Sequence, residues 1–154
     1  MGSTWHSAFC YIIVTDDGVA FGHWIDIPVD FWGHCLTHVT QIAMAELIAP
    51  VIAIRSHLDL FREVAATFYI DNVVAQCALV RGASKAADLS LMGLAFMTRC
   101  HALGCSYWIE WVPSNSNLAD DGSRRGSVEA SARALNIHIT EASFDSNGLV
   151  GVLR

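Results

Sequence analysis

The chain has 154 residues, 53% of them hydrophobic and 16% charged, which is enough apolar material for the core of one ordinary domain and too much for a disordered chain. Gly and Pro together number 14 and follow no period, so collagen-like and linker sequences are excluded. Nine basic against fifteen acidic side chains leave a formal charge of −6, with Lys85 the only lysine; a polyanion-binding tail is absent, and any contact with nucleic acid has to rely on local arginines, metal ions and backbone donors.

Residues 7–15 form a β-rich run, Asp16-Asp17-Gly18 follows, and a second such run spans 19–27 and is closed by Pro28. Asp-Gly between two strand-like runs predicts a hairpin. Residues 30–40 read as an aromatic, irregular loop. Thr40 is an acceptable N-cap for a helix over 41–57, where Ile42, Ala45, Leu47, Ile48, Ile52 and Ala53 leave almost no polar face and predict burial. Pro50 is expected to kink that helix or break it near Ala49. The same proline interrupts the apolar run 41–54, which falls short of the roughly eighteen residues of a membrane span.

Residues 65–70 are continuously apolar and predict a strand buried on both faces of a mostly parallel sheet. Asp71-Asn72 then hands over to a helix over 73–80 that stops at Gly82. Ser84 is expected to cap a longer helix reaching Leu103, ended by Gly104. A strand over 107–112, a polar turn over 113–117, a helical turn over 118–123 and a helix capped by Ser127 and running to about Leu135 complete the domain, 7–135. Residues 136–154 form a weakly patterned C-terminal tail. The order predicts an α/β domain with a mixed sheet. Five cysteines, an odd number set in apolar stretches, fit a reducing intracellular compartment, cytoplasmic or nuclear.

The placement of the acids is the most informative feature. Between Asp30 and Arg55 the only ionised side chain is Glu46, on a helix with little solvent face. A buried carboxylate there needs a cation, a donor or a proton, because an isolated charge taken out of water costs several kcal/mol. Asp71 ends a buried strand, where α/β sheets commonly place chemistry, and Asp120 follows the 107–112 strand in a turn rich in Ser and Asn. No Lys or Arg lies close in sequence to Glu46 or Asp71, and hard Mg²⁺ would neutralise such a set while holding a phosphodiester. A plainer alternative stays open: Glu46 protonated or paired with a distant arginine, Asp71 capping the next helix, Asp120 solvated.

Asp71-Asn72 after an apolar strand, Gly82-Ala83-Ser84 before a helix, and Trp111-Val112-Pro113-Ser114 with Asn117-Leu118-Ala119-Asp120 and Ser123-Arg124 resemble the ribonuclease H-like domain attached to reverse transcriptases of retroelements. Gln41-Ile42 and Glu46-Leu47-Ile48-Ala49 fit its glutamate helix, so the resemblance covers roughly 7–126. It implies a ribonuclease H-like mixed sheet flanked by helices and a nuclease that hydrolyses RNA in RNA–DNA hybrids with two Mg²⁺ (or Mn²⁺) ions held by four acids. By motif, Glu46, Asp71 and Asp120 would be three of those ligands, Asn72 and Asn117 would orient ligands or backbone, and Arg124 would touch phosphate. The implied partners are an RNA–DNA hybrid, read through sugar and phosphate, and an upstream reverse transcriptase domain.

One departure bears on activity. The family's first aspartate lies on an opening strand that precedes a hairpin. If 9–15 and 19–27 are the second and third strands, that first strand is missing and the chain starts just after the acid; if 9–15 is the first strand, Asp16 or Asp17 stands in for the ligand. The hairpin explanation of Asp-Gly favours the first alignment, and the loss of a bridging ligand predicts weak or no hydrolysis by the chain alone. The competing reading is a catalytically degenerate fold used as a nucleic-acid or protein binding module.

Other constellations are weaker. His34-Cys35 with His38 lacks the four paired ligands of a structural zinc site. Cys100-His101 and Cys105 read as packed residues at a helix end. Neither a nucleophile elbow nor a phosphate-binding glycine loop is present. Most of the five tryptophans are expected in packing, with Trp32 a candidate for stacking on a base or a partner.

Overall fold

A computed structural model describes residues 7–36, 41–120 and 128–154. The hairpin forms as expected: β1 (Ser7–Val14) pairs antiparallel with β2 (Ala20–Ile27), in register from Ser7 opposite Ile27 to Val14 opposite Ala20. The turn places Gly18 at φ +83°, a conformation that a side chain would strain, and Asp17 accepts a hydrogen bond from the Thr15 hydroxyl within it. Inward residues Phe9, Tyr11, Ile25 and Ile27 are buried.

The expected loop after Pro28 instead contains a 3-10 helix, Val29–His34. Phe31 is fully buried, and its ring meets Trp32 and Phe144 edge-on at 5.6 and 4.9 Å. Aromatic packing onto the core therefore orders a segment whose local pattern gave no regular period. Trp32 is partly buried against that core.

The helix α1 (Ile42–Ser56) runs through Pro50 without the break that was one of the two expected outcomes, kink or break. Its flanks are apolar on nearly every side, and residues 47–54 are all buried, so packing outweighs the lost backbone bond. Proline at position 50 removes the N–H that would meet the carbonyl of Glu46 one turn earlier. Gln41 occupies the N-cap without a side-chain bond; the expected cap, Thr40, lies outside the described residues.

After a 3-10 turn (Leu58–Phe61), strand β3 (Ala65–Ile70) leads into α2 (Val73–Arg81), which ends at Gly82 with φ +61°. α3 (Ala87–Ala102) begins three residues after Ser84 rather than at it. Ser84 instead exchanges hydrogen bonds with Ser90: its N–H donates to Ser90 Oγ at 2.7 Å, and the Ser90 hydroxyl donates to the Ser84 carbonyl at 2.9 Å. Strand β4 (Ser106–Trp111) lies parallel to β3, joined to it by the α2–α3 crossover. α2 and α3 cross closely at Gly93, where an added Cβ would stand 2.6 Å from the Ala78 carbonyl oxygen.

α4 (Val128–Leu135) follows; its expected cap, Ser127, lies outside the described residues. The C-terminal tail contributes regular structure, β5 (His138–Glu141) and α5 (Ser146–Val152). β5 pairs parallel with β2, and Leu149 of α5 is fully buried in the common core. The domain is α/β: a mixed three-stranded sheet in the order β1-β2-β5 and a parallel pair β3-β4, flanked by helices. α1 packs on β1 and against α2 and α3, while α2 packs on β3 and β4, so one core joins both sheets.

One expectation is corrected. β3 is not buried on both faces: Ala66, Phe68 and Ile70 turn inward, whereas Ala65, Thr67 and Tyr69 are exposed, as is Trp108 of β4 opposite Thr67. Among the described residues, helices cover only one side of this pair, so the unbroken apolar run does not translate into two buried faces. No helix among the described residues is long and apolar enough to cross a membrane.

Candidate functional site

Glu46 projects from the first half of α1, between the buried Met44 and Leu47. Its carboxyl is half-buried and hydrogen-bonded to that of Asp71. Burial, the Asp71 charge, the Asp71 hydrogen bond and the Asp120 charge, in that order, push Glu46 up to about 8. All four influences act in one direction, and no cation is among them. Three acids from distant parts of the chain thus share one neighbourhood, and at neutral pH Glu46 keeps its proton, first because it is buried and then because Asp71 and Asp120 act on it.

Each acid is held by its own local structure. Asp71 follows the last ladder residue of β3. The Val112 N–H donates to the Ile70 carbonyl at 3.0 Å, and the Trp111 indole N–H donates to the Asp71 carbonyl at 3.3 Å. β4 therefore clamps the end of β3 from the side. Asn72, rather than Asp71, caps α2: its Oδ1 accepts from the Ala75 N–H at 3.0 Å. The Asp71 carboxylate is consequently left to face Glu46. Asp120 sits in the turn after a short 3-10 helix (Ser114–Ser116). Asn117 organises that turn, its Oδ1 accepting from the Ala119 N–H at 3.1 Å and its carbonyl from the Asp120 N–H, also at 3.1 Å.

Asn72 and Asn117 both orient backbone. Arg124, with Ser123, lies outside the described residues. Asp17 is fully solvent-exposed in the hairpin turn, and neither it nor Asp16 is among the groups that act on Glu46. The Asp16/Asp17 alignment therefore brings no acid to this site.

The donor set is all hard oxygen, of the kind Mg²⁺ and Mn²⁺ accept, and a cation would relieve the repulsion that keeps Glu46 protonated. Among the described residues, however, no three His, Cys, Asp or Glu side chains close into a ready coordination set. The closest association is the Glu46–Asp71 pair, with Asp120 acting through its charge. Chemically, Glu46 can hold or release a proton near neutral pH.

The cysteines carry no comparable chemistry. All five are free. Burial pushes the Cys10 and Cys100 thiols up to about 12 and Cys35, with help from the Asp88 charge, to about 11, so none of the three is a ready thiolate. Cys35 donates to the Phe31 carbonyl, and His38 lies outside the described residues.

Two features were missed at the level of sequence. Asp88 is 4% exposed, and its Oδ2 accepts from the Leu36 N–H at 2.9 Å, tying the first turn of α3 to the end of the 29–34 segment. Its signal was an acid in a helical first turn. The second is a pair of stacked rings, His23 and His57, 34 residues apart in the chain, with no local signal at all. No family model, curated protein or solved structure matches the chain.

Proposed function

We propose that this chain is a ribonuclease H-like nuclease domain of a reverse-transcriptase-type polyprotein, directed at RNA in RNA–DNA hybrids, with a metal site that is incomplete within the described residues. The observation that carries the reading is the Glu46–Asp71 carboxyl pair with Asp120 beside it. These are the three positions singled out by motif, on a helix, at a strand end and in an Asn-organised turn. The plainer structural alternative fares worse on one point, since Asn72 does the capping that it assigns to Asp71, and is met on another, since Glu46 holds a proton with no guanidinium acting on it.

Glu46, Asp71 and Asp120 would hold a divalent ion, and that ion, when bound, supplies Lewis-acid activation of a phosphodiester and of water. The protein's own contribution is positional. The Trp111 clamp fixes the strand end that carries Asp71, the Asn117 turn fixes Asp120, and the buried α1 presents Glu46. Glu46 must release its proton for the site to reach full negative charge.

A second reading has specific support. No fourth carboxylate acts on Glu46 among the described residues, and Asp16 and Asp17 belong to an exposed turn. A three-acid site favours weak hydrolysis or a binding module that has lost it. Cleavage of a labelled RNA–DNA hybrid in Mg²⁺ or Mn²⁺, with Asp71→Asn as control, separates the two. Metal-dependent cutting abolished by D71N supports the nuclease. A rise in thermal stability with millimolar Mg²⁺, lost in D71N but without cleavage, supports the binding module. No response to metal in either assay removes the metal-site reading.

A further inference from the structure

Just past the C-terminal end of α1, that helix and the strands β1, β2 and β5 meet at a histidine pair. His23 of β2 and His57, just past α1, stack with ring centroids 5.3 Å apart and planes inclined by 21°. Tyr11 of β1 hydrogen-bonds His57 Nε2 through its hydroxyl at 3.2 Å, and Phe21 of β2 meets the His57 ring edge-on at 5.3 Å. From β5, the Thr140 hydroxyl hydrogen-bonds His23 Nδ1 at 3.0 Å. This side-chain bond ties β5 to β2, and the ladder it reinforces covers only four residues, Phe21–Trp24 against His138–Glu141.

Two imidazoles in parallel contact are compatible as neutral rings and repel when both are charged. The surroundings offer one relief, a hydrogen bond at the Thr140 backbone that favours charged His23, and burial outweighs it. His138 of β5 acts on His23, His23 acts on His57, and no carboxylate acts on either ring. Burial holds both rings below the ordinary histidine range. The nearby charges are engaged or turned elsewhere: Arg55 of α1 is bonded to Asp145 at 2.9 Å, Glu129 and Arg133 of α4 line a hollow on the outer side of β5 with His138, and Asp59 and Glu141 are exposed.

We propose that the His23–His57 stack is an acid-sensitive latch for β5, holding the strand on β2 while both rings are neutral and releasing it when both are charged. Because each ring takes up its proton less readily in the folded protein than in an opened one, the closed form is favoured above about pH 6.5 and loses that advantage as pH falls through the folded values. The Arg55–Asp145 bridge persists in the same range, since hydrogen bonds from Gly148 and Arg55 keep Asp145 below the usual carboxylate range. Acid opening is therefore confined to β5 and leaves α5 docked.

Hydrogen exchange of the full chain between pH 7.5 and 5, corrected for the intrinsic pH dependence of exchange, tests this. The amides of 138–141 should lose protection between pH 7 and 5.5 by up to about eightfold for each ring that charges on opening, while those of 65–70 stay level. His57→Phe, which keeps a ring against Phe21, and His23→Gln should each abolish the step. In the wild-type protein the ring signals of His23 and His57 should titrate with the same midpoint as the opening, which keeps the test independent of either variant folding. A flat profile at 138–141, an equal step at 65–70, a step that survives both variants, or ring midpoints at or above 6.5 would each overturn the latch.

Discussion

The indole N–H of Trp111 donates to the carbonyl oxygen of Asp71 at 3.3 Å, binding the last residue of β4 to the residue that follows β3. The contact fixes the backbone of an acid whose side chain faces Glu46. Trp111→Phe keeps the ring and deletes the bond, and should lower stability by about 1 kcal/mol. It should also weaken any Mg²⁺-induced rise in melting temperature more than it weakens the protein. Denaturant midpoints with and without Mg²⁺ measure both effects, and an unchanged metal response in W111F would deny Trp111 a positioning role.

Glu46 ionises near 4.5 in an unfolded chain and near 8 in the folded one. The folded state therefore holds a proton that the unfolded state has lost across that interval. Its contribution to stability is complete below pH 4.5, declines as pH rises to 8, and is flat beyond. The full decline is at most about 5 kcal/mol, from roughly 1.4 kcal/mol per pH unit. Glu46→Gln, an uncharged shape mimic, should remove it, so that urea midpoints of E46Q and wild type converge at pH 5 and separate at pH 8 in favour of the variant. Parallel pH profiles would contradict the shared-proton geometry.

Metal and proton compete for the same carboxylates, so the apparent affinity for Mg²⁺ should rise about tenfold per pH unit on approach to pH 8 and level off above it. Calorimetric titrations at pH 6, 7 and 8 read this directly, with one proton released per ion at the lower values. In Asp71→Asn, Glu46 loses the neighbouring charge that raises its pKa, so both the affinity and the proton release should fall. PH-independent binding would place the ion elsewhere.

Asn72 accepts the Ala75 N–H at the start of α2. Asn72→Ala should cost about 1 kcal/mol, and Asn72→Asp or Asn72→Ser should restore most of it, because both can cap. If N72S regains stability while hybrid binding stays impaired, Asn72 contacts nucleic acid in addition to capping.

The hairpin, α1, the β3–α2 junction, α3 and β4 were legible from Asp-Gly, apolar periodicity and glycine stops, because those signals act over a few residues. Two expectations failed, and a third was narrowed from kink or break to no break, where distant packing decides. The 29–34 segment is ordered by Phe31 meeting Phe144, α1 survives Pro50 because its flanks are buried on nearly every side, and β3 stays open on one face because helices cover only the other. Strand β5 carried too little local pattern to be seen, and it exists because β2 offers it an edge.

The chain's amino acids alone determined that Glu46 would be an acid without a nearby counter-charge, and that Asp71 and Asp120 would end a strand and occupy an Asn-rich turn. Only the tertiary structure decided that Glu46 meets Asp71 with the Asp120 charge nearby, that Asn72 releases Asp71 from capping, and that His23 and His57 stack. The reason is one of range. Propensity and capping depend on neighbours within a turn or two, whereas a proton shared between residues 46 and 71, or two rings in contact across 34 residues, depends on how the helices and strands close around a common core.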